Sequence, residues 1–328
     1  MTQALSQTMT LYRAPWFWAW IAAFAAFLAT WSLSTGGNGG GGGGGMALLV
    51  AALTFGSFSV LTGLGQMLVI TMGPGNTDLS IPATMTLAAT LSLKLMGGMT
   101  AATPLVVLAG LVSALLIGAG VGVVNFALIR LLRIPPIIAT LSASFLYQSL
   151  AIWSNRGLRI KPPQVLADFT TGRALLGIPN LAWVALAVSI GFWVLLHRSG
   201  FGRRISAIGQ NPRAARLAGV PVARVSAITY VTCAIMAGLT GFLLACFSGG
   251  AALNMGAEFL LMSIAVTVIG GSSIAGGNSN VPGIWAGALF MYLIVSMLNS
   301  YGLGAGVRLL LTGVIIIAIV AAASGRKS

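Results

Sequence analysis

Few residues in this chain could carry bond-making chemistry, and their spacing does not favour it. The 328 residues include three carboxylates (Asp78, Asp168, Glu258), one histidine (His197) and two cysteines (Cys233, Cys246). No nucleophile has a base close in sequence, no Cys or His spacing suits a metal, and no GxxxxGK[ST] phosphate loop occurs. The cysteines lie thirteen residues apart on one expected helix, ~20 Å along its axis, which is too far for a disulfide. The expectation is a chain with no catalytic residues, no metal and no cofactor of its own. Polar chemistry gathers instead at two Gly- and Pro-containing interruptions of long apolar runs, VITMGPGNTDLSIPATMTLAA (Val69–Ala89) and VTVIGGSSIAGGNSNVPGIWAGA (Val266–Ala288). The first offers Asn76, Thr77, Asp78 and Ser80; the second offers Gly270, Gly271, Ser272, Ser273, Asn278, Ser279 and Asn280.

The elements that must position these groups follow from composition. At 57% apolar, 6% charged and a mean hydropathy of +0.98, the chain is far from a soluble globule, whose charged fraction is about 25%. It reads as an all-α, polytopic membrane protein. A span needs ~17–25 apolar residues, which predicts about ten helices, near 15–34, 46–72, 79–97, 104–131, 135–153, 180–196, 225–248, 259–275, 282–300 and 306–323. Residues 1–328 read as a single transmembrane domain, since the loops are too short for a soluble one. Segments 46–72 and 104–131 exceed a bilayer's need and must tilt, protrude or break. The first helix is expected to be retained, because Pro15–Ser34 is long for a signal peptide's core. Residues 36–45, nearly all glycine, read as a flexible external tether.

Breaks in corresponding positions of two halves point to a transport path, because non-helical backbone at membrane depth is tolerated only beside protein or a watery cavity. Gly73 and Gly270 begin the two breaks. The candidate path residues are therefore Asn76, Asp78, Ser80, Gly270, Gly271, Ser272 and Ser273. Asp78 could either stabilise the break or line the path, whereas Glu258 reads as an acid at a helix start, favoured by the dipole. Gly118, Gly120 and Gly122, with Gly283 and Gly287, fit close helix packing through small residues. Hydroxyls and amides without paired charge suit a neutral polyol.

Charge fixes the orientation. Residues 197–224 hold six of the seventeen Lys and Arg residues (Arg198, Arg203, Arg204, Arg213, Arg216, Arg224) and no acid. Ten spans put both termini on the side of this loop, with eleven bases there and six opposite, so termini and loop are expected to be cytoplasmic. The formal charge of +14 is explained by basic loops at an anionic leaflet rather than by nucleic acid. Within the loop, Asn211 is a good N-cap, Pro212 suits the first helical position and Gly219 can end the helix left-handed. Such a helix, Pro212–Ala218, is too short to persist alone in water and is expected to dock on something.

The run GRRISAIGQNPRAARLAGVPVARV (Gly202–Val225), then AEFLLMSIAVTVIGGSSIAGG (Ala257–Gly277), resembles the permease subunits of bacterial ribose/xylose-type ABC importers, within the broader branched-chain amino acid/sugar permease family. LGQMLVITMGPGNTDLSIPATMTLAA (Leu64–Ala89) is similar to that family's GQ…VI…GGIDLSVGA…LAA segment, except that GPGNT stands where GGI is usual. The resemblance covers roughly residues 50–322. It implies a type II importer-like permease with two broken-helix half-repeats, which dimerises in the inner membrane. It also implies a cytoplasmic ATPase that binds ATP and Mg, and a periplasmic sugar-binding protein. The central loop would carry a coupling helix, with Gly209, Asn211, Pro212, Ala214, Ala215, Arg216 and Gly219 matching that loop. GGSSIAGG and DLSIP favour sugar; the alternatives are a branched-chain amino acid permease and an ion-coupled secondary transporter.

Overall fold

The computed structural model describes residues 15–36, 44–155 and 160–324. Helices form at all ten expected positions: α1 (Pro15–Gly36), α2 (Gly44–Thr71), α3 (Ile81–Gly97), α4 (Thr103–Leu131), α5 (Pro136–Asn155), α7 (Asn180–Arg198), α10 (Val222–Phe247), α11 (Phe259–Ile269), α12 (Val281–Ser300) and α13 (Ala305–Ser324). Three short α-helices, α6 (Gln164–Thr171), α8 (Gly200–Gln210) and α9 (Pro212–Leu217), and a single 3-10 turn at Leu175–Gly177 complete the order. The sequence reading foresaw only α9 of these three. No strand occurs among the described residues beyond one isolated bridge between Arg173 and Pro179. Most of the glycine tether, 37–43, lies outside the described residues. Among those described, six helices (α2, α4, α5, α7, α10, α12) are long and apolar enough to cross a membrane.

The axis of the fold is α2, buried without interruption from Gly56 to Thr71. Its residues are apolar all round, as suits a helix enclosed on every side. Around it pack α7, α10, α11 and α12, while α10 also packs on α3 and α4, and α12 on α1. Both long helices, α2 and α4, run unbroken for 28 and 29 residues, or ~42 Å at 1.5 Å per residue. Against a hydrocarbon layer of ~30 Å they must tilt or protrude, and breakage is excluded.

Helix α4 buries a stripe, Val106, Gly110, Ala114, Gly118, Val121, Gly122 and Asn125; Gly110 faces Met96 of α3, and Ala114, Gly118 and Gly122 lie against α10. A methyl group on Gly118 would lie 2.5 Å from the Ala234 carbonyl oxygen, and one on Gly122 2.5 Å from Val231 Cα. The two backbones touch, which is how helices associate where lipid is as apolar as the core. Gly120 has open space beside it, so it takes no part in this contact. Gly283 and Gly287 do the equivalent on α12, against Gly270 and Val266 of the α11 segment. Cys233 and Cys246 are both free and buried on α10.

Candidate functional site

The first break, residues 72–80, joins α2 to α3. Gly73 (φ +113°) and Gly75 (φ +79°) flank Pro74 in conformations that L side chains avoid. The chain then turns inward at Asp78, which is 1% exposed. Asp78 Oδ1 accepts from the Ser80 backbone N–H at 2.8 Å and from Ser80 Oγ at 2.7 Å. Asn125 of α4 donates through Nδ2 to Ser80 Oγ at 2.8 Å, and Tyr147 of α5 donates to Asn125 Oδ1 at 2.9 Å. Backbone amides are held as well: Asp78 N–H donates to Gln66 Oε1 at 3.3 Å, and Leu79 N–H to Thr140 Oγ1 at 3.0 Å. Three helices, α2, α4 and α5, therefore grip this break through buried side chains. Asp78 and Ser80 are both enclosed in protein. Asn76 differs: it is half-buried, accepts from Tyr230 Oη at 3.1 Å, and lines a cavity of about 670 Å³.

The second break, residues 270–280, begins where α11 stops at Ile269, six residues before the expected end. The stop is a hydrogen-bonded C-terminal motif. Gly271 N–H donates to Val268 O at 2.9 Å, and Ser272 N–H to Thr267 O at 3.1 Å, around Gly271 at φ +84°. This is the Schellman arrangement, which needs a left-handed residue at that point. Eleven residues of α11 span only ~16 Å, about half a bilayer. Asn280 then caps α12, accepting from Gly283 N–H at 3.3 Å while donating through Nδ2 to Gly270 O at 3.0 Å. Ser272 is buried and accepts from Asn280 N–H at 3.2 Å; Ser273 is half-buried. Glu258 is exposed and sits immediately before α11, as expected of an acid at a helix start.

The two breaks touch each other. Gly277 N–H donates to Thr71 O, the last residue of α2, at 2.9 Å. The third party at this contact is Gly209, near the end of α8. A methyl group on Gly209 would lie 2.0 Å from Thr71 O and 2.3 Å from Gly277 N, and one on Gly276 would lie 2.4 Å from Gly73 Cα and 2.9 Å from Gly209 O. Backbone thus meets backbone at this junction, and the Gln210 side chain of α8 packs beside it against Gly277.

The loop itself is two capped helices in series. Ser199 caps α8 by accepting from Phe201 N–H at 3.0 Å. Asn211 ends α8 and caps α9, its Oδ1 accepting from the Arg213 and Ala214 amides, each at 3.0 Å. Pro212 occupies the first turn of α9, and Gly219 (φ +80°) closes it with bonds from Gly219 N–H to Arg216 O and from Val220 N–H to Ala215 O. Helix α9 docks on its own chain through Ala215, which is 4% exposed and part of the core. That corrects the expectation of Ala215 as a residue offered to a partner. The outward face is Arg213, Ala214, Arg216 and Leu217, and Leu217 is 90% exposed.

A family model described as branched-chain amino acid transport system / permease component matches residues 48–320. The chain belongs to that permease family. Among its relatives, the ribose import permease protein RbsC of Escherichia coli K12 is 28% identical over 266 residues, 80% of each chain. The autoinducer 2 import system permease protein LsrD of Photorhabdus laumondii is 31% identical over 255 residues, 74% of this chain and 73% of its own. LsrD of Yersinia enterocolitica is 29% identical over 214 residues, 63% of this chain and 64% of its own. A multi-pass membrane permease is therefore the setting in which the breaks and the capped loop operate.

Sequence reading named the breaks and the loop but missed the residues that hold them, Gln66, Asn125, Thr140, Tyr147, Tyr230, Gly276 and Gly277, and the exposed Leu217 of α9. For Asn125 a signal existed, because the small-residue stripe of α4 ends on it.

Proposed function

We propose that this chain is the membrane-spanning subunit of an ABC importer for a simple sugar, driven by a separate cytoplasmic ATPase and supplied by a periplasmic binding protein. Both termini and the α8–α9 loop lie on the cytoplasmic side in this reading, and two copies form the path. Family membership and the relatives named for ribose and autoinducer 2 import support it, as does the uncharged second break, rich in hydroxyls and amides. The observation that carries it is the junction of Gly209 with Thr71 and Gly277. A push on α9 passes through α8 to both breaks at once, because Gly209 meets Thr71 and Gly277 backbone against backbone. ATP and Mg are bound by the partner, since this sequence holds no nucleotide loop.

The exposed apolar Leu217 and its neighbours Arg213, Ala214 and Arg216 form the face that meets the ATPase. Leu217→Glu is expected to abolish uptake in proteoliposomes containing the ATPase and binding protein, while leaving the permease's own unfolding midpoint unchanged, because Leu217 packs on little of its own chain. Wild-type uptake and substrate-stimulated ATP hydrolysis in Leu217→Glu would refute the coupling reading.

A further inference from the structure

We propose that the cavity between the end of α4, the α9–α10 turn and the first break binds the phosphate of an anionic lipid from the adjoining leaflet. Three arginines from three elements line it: Arg130 from the last turn of α4, Arg216 from α9 and Arg224 from the first turn of α10. All three are exposed, and no carboxylate lines the cavity. Three like charges around one concavity repel each other until an anion enters, and the planar donor fork of arginine fits phosphate oxygens two at a time.

The start of α10 adds a second, independent attraction. Its N-cap is Pro221, which has no side-chain oxygen, and no side chain caps the helix. Pro221, Val222 and Ala223 line the same cavity, so the positive end of a 26-residue helix adjoins it. Helix starts of this kind bind phosphate.

The remaining wall selects an amphiphile over a free ion. Phe126, Ile129 and Val220 line the cavity beside the arginines, and Leu131, Leu132 and Ile228 are exposed on the same ends of α4 and α10. Inorganic phosphate would gain nothing from these surfaces, whereas an acyl glycerol can lie along them with its phosphate among the arginines. At about 670 Å³ the cavity takes a headgroup and the start of its chains. Its polar floor is the Tyr230–Asn76 hydrogen bond of 3.1 Å. The occupant would therefore touch the coupling helix through Arg216 and the first break through Asn76. The site rests on the orientation proposed above only in placing this end at the anionic inner leaflet.

Native mass spectrometry of the detergent-purified protein, titrated with phosphatidylglycerol, tests the site without reference to transport. Wild type should retain phosphatidylglycerol over phosphatidylcholine. Arg130→Gln/Arg224→Gln should bind it about tenfold more weakly, as expected when two charge-assisted phosphate contacts are lost. Arg203→Gln/Arg204→Gln, which removes the same charge from α8 outside the cavity, should bind as wild type. Equal retention of the two lipids by wild type, equal loss in both double variants, or affinity within twofold of wild type in Arg130→Gln/Arg224→Gln would overturn the proposal. Displacement of the lipid by millimolar inorganic phosphate would assign the cavity to a free anion and overturn it equally. None of these results bears on whether the chain carries sugar, which the uptake assay measures separately.

Discussion

Replacing Gly209 with alanine tests the mechanical reading most directly, because the cost can be worked from the contacts. The added methyl would stand 2.0 Å from Thr71 O and 2.3 Å from Gly277 N, the acceptor and donor of one 2.9 Å hydrogen bond. Both atoms belong to backbone, so neither can swing aside as a side-chain tip could. Overpacking of this kind costs about 1–3 kcal/mol, and losing the bond between the breaks adds about 0.5–1.5 kcal/mol. The sum, ~1.5–4.5 kcal/mol, is to be met by backing α8 away from the junction rather than by unfolding a bundle with a large buried core elsewhere. Uptake should then fall at least tenfold in proteoliposomes while the ATPase, bound to the untouched outer face of α9, keeps its basal turnover. Gly200→Ala is the control: it lies in the same helix with nothing within 4 Å of the new methyl, and should leave uptake and unfolding midpoint as they were. Wild-type uptake by Gly209→Ala would refute the claim that force passes through this junction.

Other expectations follow from the clamp around the first break and from the loop. Asn125→Leu removes the donor to Ser80, which keeps its bond to Asp78, and the acceptor for Tyr147, leaving the Tyr147 hydroxyl without that partner at a cost of about 1–3 kcal/mol; a lowered midpoint in thermal unfolding checks it. Asp78→Asn can still accept both Ser80 bonds and should keep most uptake, whereas Asp78→Ala should lose stability by a similar ~1–3 kcal/mol. A dead but fully folded Asp78→Asn would instead place the carboxylate in the path. Gly219→Ala forces alanine into a left-handed conformation (φ +80°) costing ~1–2 kcal/mol, so α9 should fray and uptake fall. Gly219→Asn, which tolerates that region better, should recover part of the loss.

What the sequence determined alone was whatever depends on neighbours in the chain. Apolar run lengths set by the bilayer placed helices at the ten expected positions. The local chemistry of Asn211, Pro212 and Gly219 gave α9 to within one residue, and Gly and Pro clusters marked both breaks. The sequence could not say which side of each helix is buried. In lipid, core and surroundings are equally apolar, so α2 and α4 look alike in composition, although α2 is enclosed from Gly56 to Thr71 and α4 buries a single stripe. For the same reason Ala215 read as an outward contact when it faces inward, and the enclosure of Asp78 could not be foreseen before Asn125, Thr140 and Tyr147 arrived from other helices. The tertiary structure alone brought Gly209, Thr71 and Gly277 to one point. That contact is backbone against backbone, and glycines that touch leave no pattern by which a sequence could pair them.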